Sequence, residues 1–99
     1  MGDQQLRTRI WETLEDEWKR GKTEDGVRAY YPTLESKDIH SRLVREGVNV
    51  PEGAMEEVLE DLEESGLITV APLQDRQEIP IHGAMLITPT ETTKEFILS

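Results

Sequence analysis

The sequence predicts an α+β fold in a single small domain covering residues 1–99, and three observations support that class. Apolar residues recur at steps of three and four in three separate segments, which is the spacing of amphipathic helices. The later segments "LITVAP" and "IPIHGAMLIT" are β-rich and are separated by a polar turn, as in a hairpin. The length of 99 residues is enough for one hydrophobic core and too short for two.

Helix 1 is predicted between about Gln4 and Arg20. Its apolar residues lie at helical spacing and are Leu6, Ile10, Trp11, Leu14 and Trp18. The residues that follow Gly21 mix glycine, proline and charge, which indicates a loop. Within this loop the β-prone residues Val27 to Tyr31 predict one short strand that Pro32 closes.

Helix 2 is predicted to begin after Ser36, whose side chain can cap the backbone N–H groups that follow it. It continues through Ile39, Leu43 and Val44 and stops at Gly47, a residue type that favours helix C-caps.

Helix 3 follows the tight connection "VNVPEG", in which Pro51 suits the first helical position. Its apolar residues Met55, Val58, Leu59 and Leu62 continue the pattern to Gly66.

A β-hairpin is predicted next, because two β-rich segments flank the polar turn "LQDRQE". Pro80 and Gly83 imply that its second strand is irregular or lies at a sheet edge. The segment Thr88 to Glu91 resembles a capping box with Pro89 at the first helical position, so a short C-terminal helix should follow.

The charge of the chain is unusual, with 21 acidic residues, 11 basic residues and a formal net charge of −10. The acids are spread along the chain, which favours a protein adapted to a cytoplasm at molar salt, where a Debye length of roughly 3 Å removes most self-repulsion. An ordinary acidic surface domain is the alternative. No apolar run is long enough for a membrane span, so a cytoplasmic location is expected.

The sequence predicts a non-catalytic protein without a cofactor, a metal or an evident small-molecule ligand. It contains no cysteine, and its two histidines, His40 and His82, lack partners at ligand spacing. No nucleophile lies near a candidate base in any recognisable motif.

Three segments together resemble the winged helix-turn-helix family of transcription regulators, over roughly Leu6 to Phe96. They are "YYPTLESKDIHSRL", "EEVLEDLEESGLI" and "LITPTETTKEF". The resemblance implies a three-helix core with a β-hairpin wing, in which the third helix enters the major groove of DNA. It also implies that the start of helix 2 and the wing tip contact the phosphate backbone.

The third helix departs from that pattern because the side that should face DNA is acidic. Its exposed side carries Glu56, Glu57, Glu60, Asp61 and Glu64 and has no Arg, Lys, Asn or Gln. Such a surface repels phosphate and can read almost no base edge. The acids form either a solvated face that high salt screens or a docking face for a basic protein partner.

If DNA is bound, the predicted phosphate contacts are cations outside helix 3, namely Lys37, Arg42, Arg45 and Arg76. Asp38 lies four residues before Arg42 and is expected to pair with it. Helix 1 raises a further alternative, since Trp11 and Trp18 are either core residues or, with Phe96, part of a homodimer seam.

The sequence therefore predicts a winged-helix module of transcription-regulator type that acts mainly through protein–protein contacts. The alternative is a dimeric DNA-binding regulator that uses helix 2 and the wing at high salt.

Overall fold

The computed structural model of the chain describes the backbone of residues 2–74 and 80–98, and the side chains of residues 4–72 and 85–96. This part of the chain is α+β, with four helices and two small antiparallel sheets, which confirms the predicted class. In chain order the elements are α1 (Gly2–Gly21), β1 (Thr23–Asp25), β2 (Arg28–Tyr30), β3 (Leu34–Glu35), α2 (Ser36–Arg45), α3 (Ala54–Glu64), β4 (Ile68–Gln74), β5 (Pro80–Pro89) and α4 (Glu91–Leu98).

The core forms where the apolar sides of α1, α2 and α3 meet the sheet. Its side chains that are at most 2% exposed are Ile10, Leu14, Trp18, Ile39, Leu43, Leu59, Leu62, Ile68 and Ile87. The helical periodicity thus selected most of the buried residues correctly, but Val44 of α2 is 54% exposed. No described helix combines the length and apolar character that a bilayer span requires.

The predicted hairpin is present as β4 and β5, and β5 is the middle strand of a sheet with the order β3-β5-β4. The pairing of Pro72 with Met85 and of Gln74 with Pro80 leaves four β5 residues opposite one β4 residue. The irregular strand predicted from Pro80 and Gly83 is therefore confirmed. β5 is a middle strand only where β3 pairs with it, at Leu86 and Ile87.

The loop after α1 folds differently from the prediction of one strand over Val27 to Tyr31. It forms a separate hairpin of β1 and β2, in which Gly26 and Val27 make the turn. Gly26 has a φ of 66°, a conformation that glycine adopts without strain. Val27 is fully exposed at the turn, so its β propensity did not place it in a strand.

Helices α2 and α3 both end in a glycine at positive φ, as their sequences predict. After α3, Gly66 N–H donates to the Glu63 carbonyl at 3.0 Å and Leu67 N–H donates to the Leu62 carbonyl at 3.1 Å. These two bonds define a Schellman motif, which turns the chain back toward the core at Leu67.

The starts of α2 and α3 correct two details of the sequence analysis. Ser36 is the first residue of α2 and not its cap, and its buried Oγ accepts a hydrogen bond from Met85 N–H at 3.0 Å. Pro51 lies before α3, whose N-cap is Gly53 and whose first residue is Ala54. In neither helix does an N-cap side chain accept a hydrogen bond from the backbone.

The C-terminal helix is present but begins two residues later than the predicted capping box implies. Pro89 ends β5, and Thr90 Oγ1 accepts a hydrogen bond from Thr93 N–H at 3.4 Å in the manner of an N-cap. Thr88 therefore belongs to the strand, and pairing of β5 with Thr69 takes precedence over its capping ability.

Candidate functional site

The outer face of α3 is the most distinctive surface of the described residues. Met55, Val58, Leu59 and Leu62 are buried against the core. Because an α-helix turns 100° per residue, the side chains between them must point away from the core. These are the exposed acids Glu56, Glu57, Glu60, Asp61, Glu63 and Glu64.

Two of these acids are used inside the fold. Asp61 forms an ion pair with Arg7 of α1. Glu63 Oε2 accepts a hydrogen bond from Val70 N–H at 3.0 Å and so joins α3 to β4. Neither partner could be found from the sequence, because no local spacing relates Arg7 to Asp61.

The other four acids, Glu56, Glu57, Glu60 and Glu64, form no ion pair with any described residue. The last turn of α3 also contains no basic residue to oppose the negative end of the helix dipole. We define these four glutamates as the acidic face. It is a surface of uncompensated negative charge.

The cations proposed as phosphate contacts are not equivalent. Arg42 is mostly buried by its ion pairs, with Nη1 at 2.8 Å from Asp16 and 2.6 Å from Glu17, and Nε at 3.2 Å from Glu46. The expected pairing with Asp38 is therefore wrong. Helix α1 supplies two of the three carboxylates, which the spacing within α2 could not indicate.

These contacts shift both partners toward their charged forms. The hydrogen bond from Arg42, and then the one from Arg20, holds the pKa of Asp16 below its ordinary value of 3.8. The hydrogen bond to Glu17 raises the pKa of Arg42 further above its already high range, against the effect of burial. Arg42 therefore joins α2 to α1 through these ion pairs.

Lys37 and Arg45 are exposed on α2 and form no ion pair with the described residues. They are eight residues apart, so they lie about 12 Å apart along the helix axis and about 80° apart around it. Arg76, the predicted wing-tip contact, lies outside the described residues.

The aromatic residues considered for a dimer seam separate into different environments. Trp18 is 0% exposed, and its Nε1–H donates to the Pro32 carbonyl at 3.0 Å. Trp11 is half-buried and packs edge-to-face on Trp18 with ring centroids 6.4 Å apart. Both tryptophans therefore serve the core, whereas Phe96 is 63% exposed on α4.

Within the part of the chain that the structure describes, no group of three or more His, Cys, Asp or Glu side chains has a geometry that could hold a metal ion. Comparison with protein-family models, with curated proteins and with solved structures found no match to this chain. The physical properties of the surfaces described above are therefore the basis for a functional proposal.

Proposed function

We propose that the chain is a winged helix-turn-helix module of transcription-regulator type. The order of elements supports this, because α2 and α3 are joined by a short connection and β4 and β5 follow as a hairpin in the position of a wing. The pairing of β3 with β5 ties the start of α2 to that hairpin, which is consistent with the same architecture.

We propose that this module is non-catalytic and binds a protein partner through the acidic face rather than DNA through α3. The observation that carries the proposal is that Glu56, Glu57, Glu60 and Glu64 are all exposed without a cationic partner among the described residues. Inserting such a helix into the major groove would bring uncompensated carboxylates near phosphates, and no basic residue on α3 would offset the repulsion. A cationic protein surface would instead be attracted.

DNA binding by a dimer, through α2 and the wing, is the second candidate function. The exposure of Lys37 and Arg45 favours it, since both cations are available to phosphate. The ion pairs of Arg42 with Asp16 and Glu17 count against DNA binding, because they occupy the central cation of α2. In both cases we propose a cytoplasm at molar salt as the setting.

A photo-crosslinking experiment tests the protein-binding proposal. Benzoylphenylalanine replaces Glu60 on the acidic face or, as the control, Val44, which is exposed on α2. After irradiation in an extract of the native source at high KCl, we expect a discrete protein adduct from position 60 only. The adduct should be lost in a variant that also carries Glu56→Gln, Glu57→Gln and Glu64→Gln. An adduct with nucleic acid at position 60 would overturn the proposal.

A DNA titration tests the second candidate. Labelled random-sequence duplex is titrated with protein from about 0.1 to about 1 M KCl, a range in which the Debye length falls from about 10 to about 3 Å. We expect no saturable binding. Saturable binding that Lys37→Ala or Arg45→Ala weakens, while Lys19→Ala on α1 does not, would establish DNA binding through α2 instead.

A further inference from the structure

A groove runs along the acidic side of α3, where that helix meets the first half of α1. It consists of two adjoining concavities of about 470 and 190 Å³. Leu6, Ala54 and Glu57 line both concavities, so the two lie side by side along α3. The groove reaches the α2–α3 connection at one end and Asp61 at the other.

The floor of the groove is apolar. Leu6 and Val58 belong to the core but keep 9% of their surface exposed. Ala54 and Val48 are partly buried hydrophobic residues that pack against the same core. An apolar side chain seated on this floor would remove further apolar surface from water, at about 25 cal/mol per Å².

The rim of the groove carries an excess of negative charge on the α3 side. The two cations of the opposite rim are neutralised within the fold, since Arg7 pairs with Asp61 and Arg9 pairs with Glu46 at 3.4 Å. Glu52 and Glu57 have no such partner among the described residues. The groove therefore combines an apolar floor with two uncompensated carboxylates.

The chemistry of the groove selects one kind of occupant. The uncompensated carboxylates of the rim oppose a second copy of this acidic chain, because like charges in direct contact still repel each other at the Debye length of roughly 3 Å in molar salt. A cationic segment is attracted by the same charge. Along α3, the groove from Ala54 to Asp61 rises about 10 Å, which corresponds to about two turns of a docked helix.

We propose that the groove between α1 and α3 docks a cationic amphipathic helix of a partner protein. The apolar side chains of that helix would lie on Leu6, Ala54 and Val58, and its Lys or Arg side chains would pair with Glu57 and Glu52. This inference rests on the proposed protein-binding function and adds the class of partner and the place where it binds.

The probe for this proposal is a synthetic labelled helix of about four turns, with leucines at steps of three and four on one side and lysines flanking them. A second peptide has the same composition but disperses the leucines around the helix. Binding is followed by fluorescence anisotropy at about 0.1 and about 1 M KCl. We expect the amphipathic peptide to bind at least about tenfold more tightly, because only it can bury its leucines together.

Matched variants of the protein locate the binding. Glu57→Gln removes a rim carboxylate and should weaken binding of the amphipathic peptide about fivefold. Glu64→Gln removes an equally exposed glutamate of α3 that does not line the groove, and should change it less than about twofold. Ala54→Met fills the floor without changing charge and should also weaken binding. Circular dichroism checks each fold, and Glu57→Gln remains a test if Ala54→Met unfolds.

Each contrary outcome has a definite meaning. If both peptides bind equally, and Glu57→Gln and Glu64→Gln have equal effects, the groove is not the docking site. Attraction of cationic partners to the acidic face would remain possible in that case. Failure of both peptides to bind would also overturn the groove as the docking site. Concentration-dependent dimerisation that Ala54→Met abolishes would make a second copy the occupant. The proposed function itself fails on separate outcomes, namely a nucleic-acid adduct at position 60 or a crosslinked partner that still binds when the acidic face is neutralised.

Discussion

Arg42 joins α1 to α2 through ion pairs. Its side chain is 21% exposed and lies within hydrogen-bonding distance of carboxylates from α1 and from the end of α2. Arg9 and Arg20 extend this cluster by pairing with Glu46 and Asp16. A planar guanidinium with five N–H donors suits such a junction better than lysine would.

Replacing Arg42 by alanine should destabilise the protein by about 1–2 kcal/mol, because three carboxylates lose their shared cation and repel each other. Urea denaturation at low salt measures the change in the free energy of unfolding. Arg45→Ala is the matched control on the same helix and should change it by less than about 0.5 kcal/mol. Equal effects would show that the ion cluster adds no stability.

Acidification should remove the contribution of Asp16 to the free energy of unfolding in a defined pH range. Because its pKa in the folded protein lies below the ordinary 3.8, its ionised form stabilises the fold fully above that value, and the contribution disappears as the pH falls below it. We expect Asp16→Asn to be less stable than the natural protein at neutral pH, with the difference closing below pH 3.8. Thermal denaturation across pH measures it. In an Arg42→Ala background, the difference in stability caused by Asp16→Asn should be smaller wherever Asp16 is ionised. A difference that does not change with pH would contradict the assignment of this stability to ionised Asp16.

At the scale of elements, α4 is attached to the end of α3 through threonine hydroxyls. Thr93 is 1% exposed, and its Oγ1 donates to the Leu67 carbonyl at 2.6 Å. Thr90 Oγ1 lies 2.7 Å from the Gly66 carbonyl and also caps α4. The carbonyls of Gly66 and Leu67, which follow α3, thus accept hydrogen bonds from the threonines at the start of α4.

Thr93→Val should destabilise the protein by about 1 kcal/mol, because at nearly constant shape it removes the 2.6 Å bond to the Leu67 carbonyl and leaves that carbonyl only the longer bonds from Thr90 at 3.3 Å. Thr92→Val is the control, since Thr92 is the exposed neighbour with the same backbone preference. Chemical denaturation compares the two. If Thr92→Val costs as much as Thr93→Val, helix propensity and not the hydrogen bond is responsible.

The helices and the hairpin were predictable from the sequence, whereas several of their ends were not. Periodicity found α1, α2 and α3 because burial repeats every turn over many residues. The capping residues depend on contacts outside the local sequence. The Ser36 hydroxyl accepts a hydrogen bond from Met85 N–H of β5, and Thr88 pairs with Thr69 in the sheet. Neither residue therefore caps its helix.

At the scale of the whole molecule, the acidic residues that give the net charge of −10 have two roles. Some form ion pairs between elements, whereas the glutamates of the acidic face on α3 stay uncompensated. The glutamates of that helix repel each other where they lie four residues apart, as Glu56, Glu60 and Glu64 do, at about 0.2–0.5 kcal/mol per pair. Salt weakens both the attraction within ion pairs and the repulsion between like charges. Because acids are in excess, the repulsion is the larger of the two, so its screening should stabilise the fold.

Stability should therefore rise with KCl between about 0.1 and about 1 M. Glu60→Gln removes two like-charged pairs and should stabilise the protein by about 0.4–1 kcal/mol at low salt, with a smaller gain at high salt. Thermal melts followed by circular dichroism measure both effects. Glu91→Gln is the control, because Glu91 pairs with Lys94 at 3.2 Å and its loss should not stabilise. Stability independent of KCl would contradict salt adaptation.

Local sequence was sufficient to place the acids of α3 opposite its buried side, because side-chain direction follows from the fixed rotation per residue. It could not show which of these acids find partners. Arg7 and Asp61 are 54 residues apart, and Arg42 and Glu17 are 25 apart. Such pairs exist only after the core has packed the helices side by side, and the same packing creates the groove between α1 and α3.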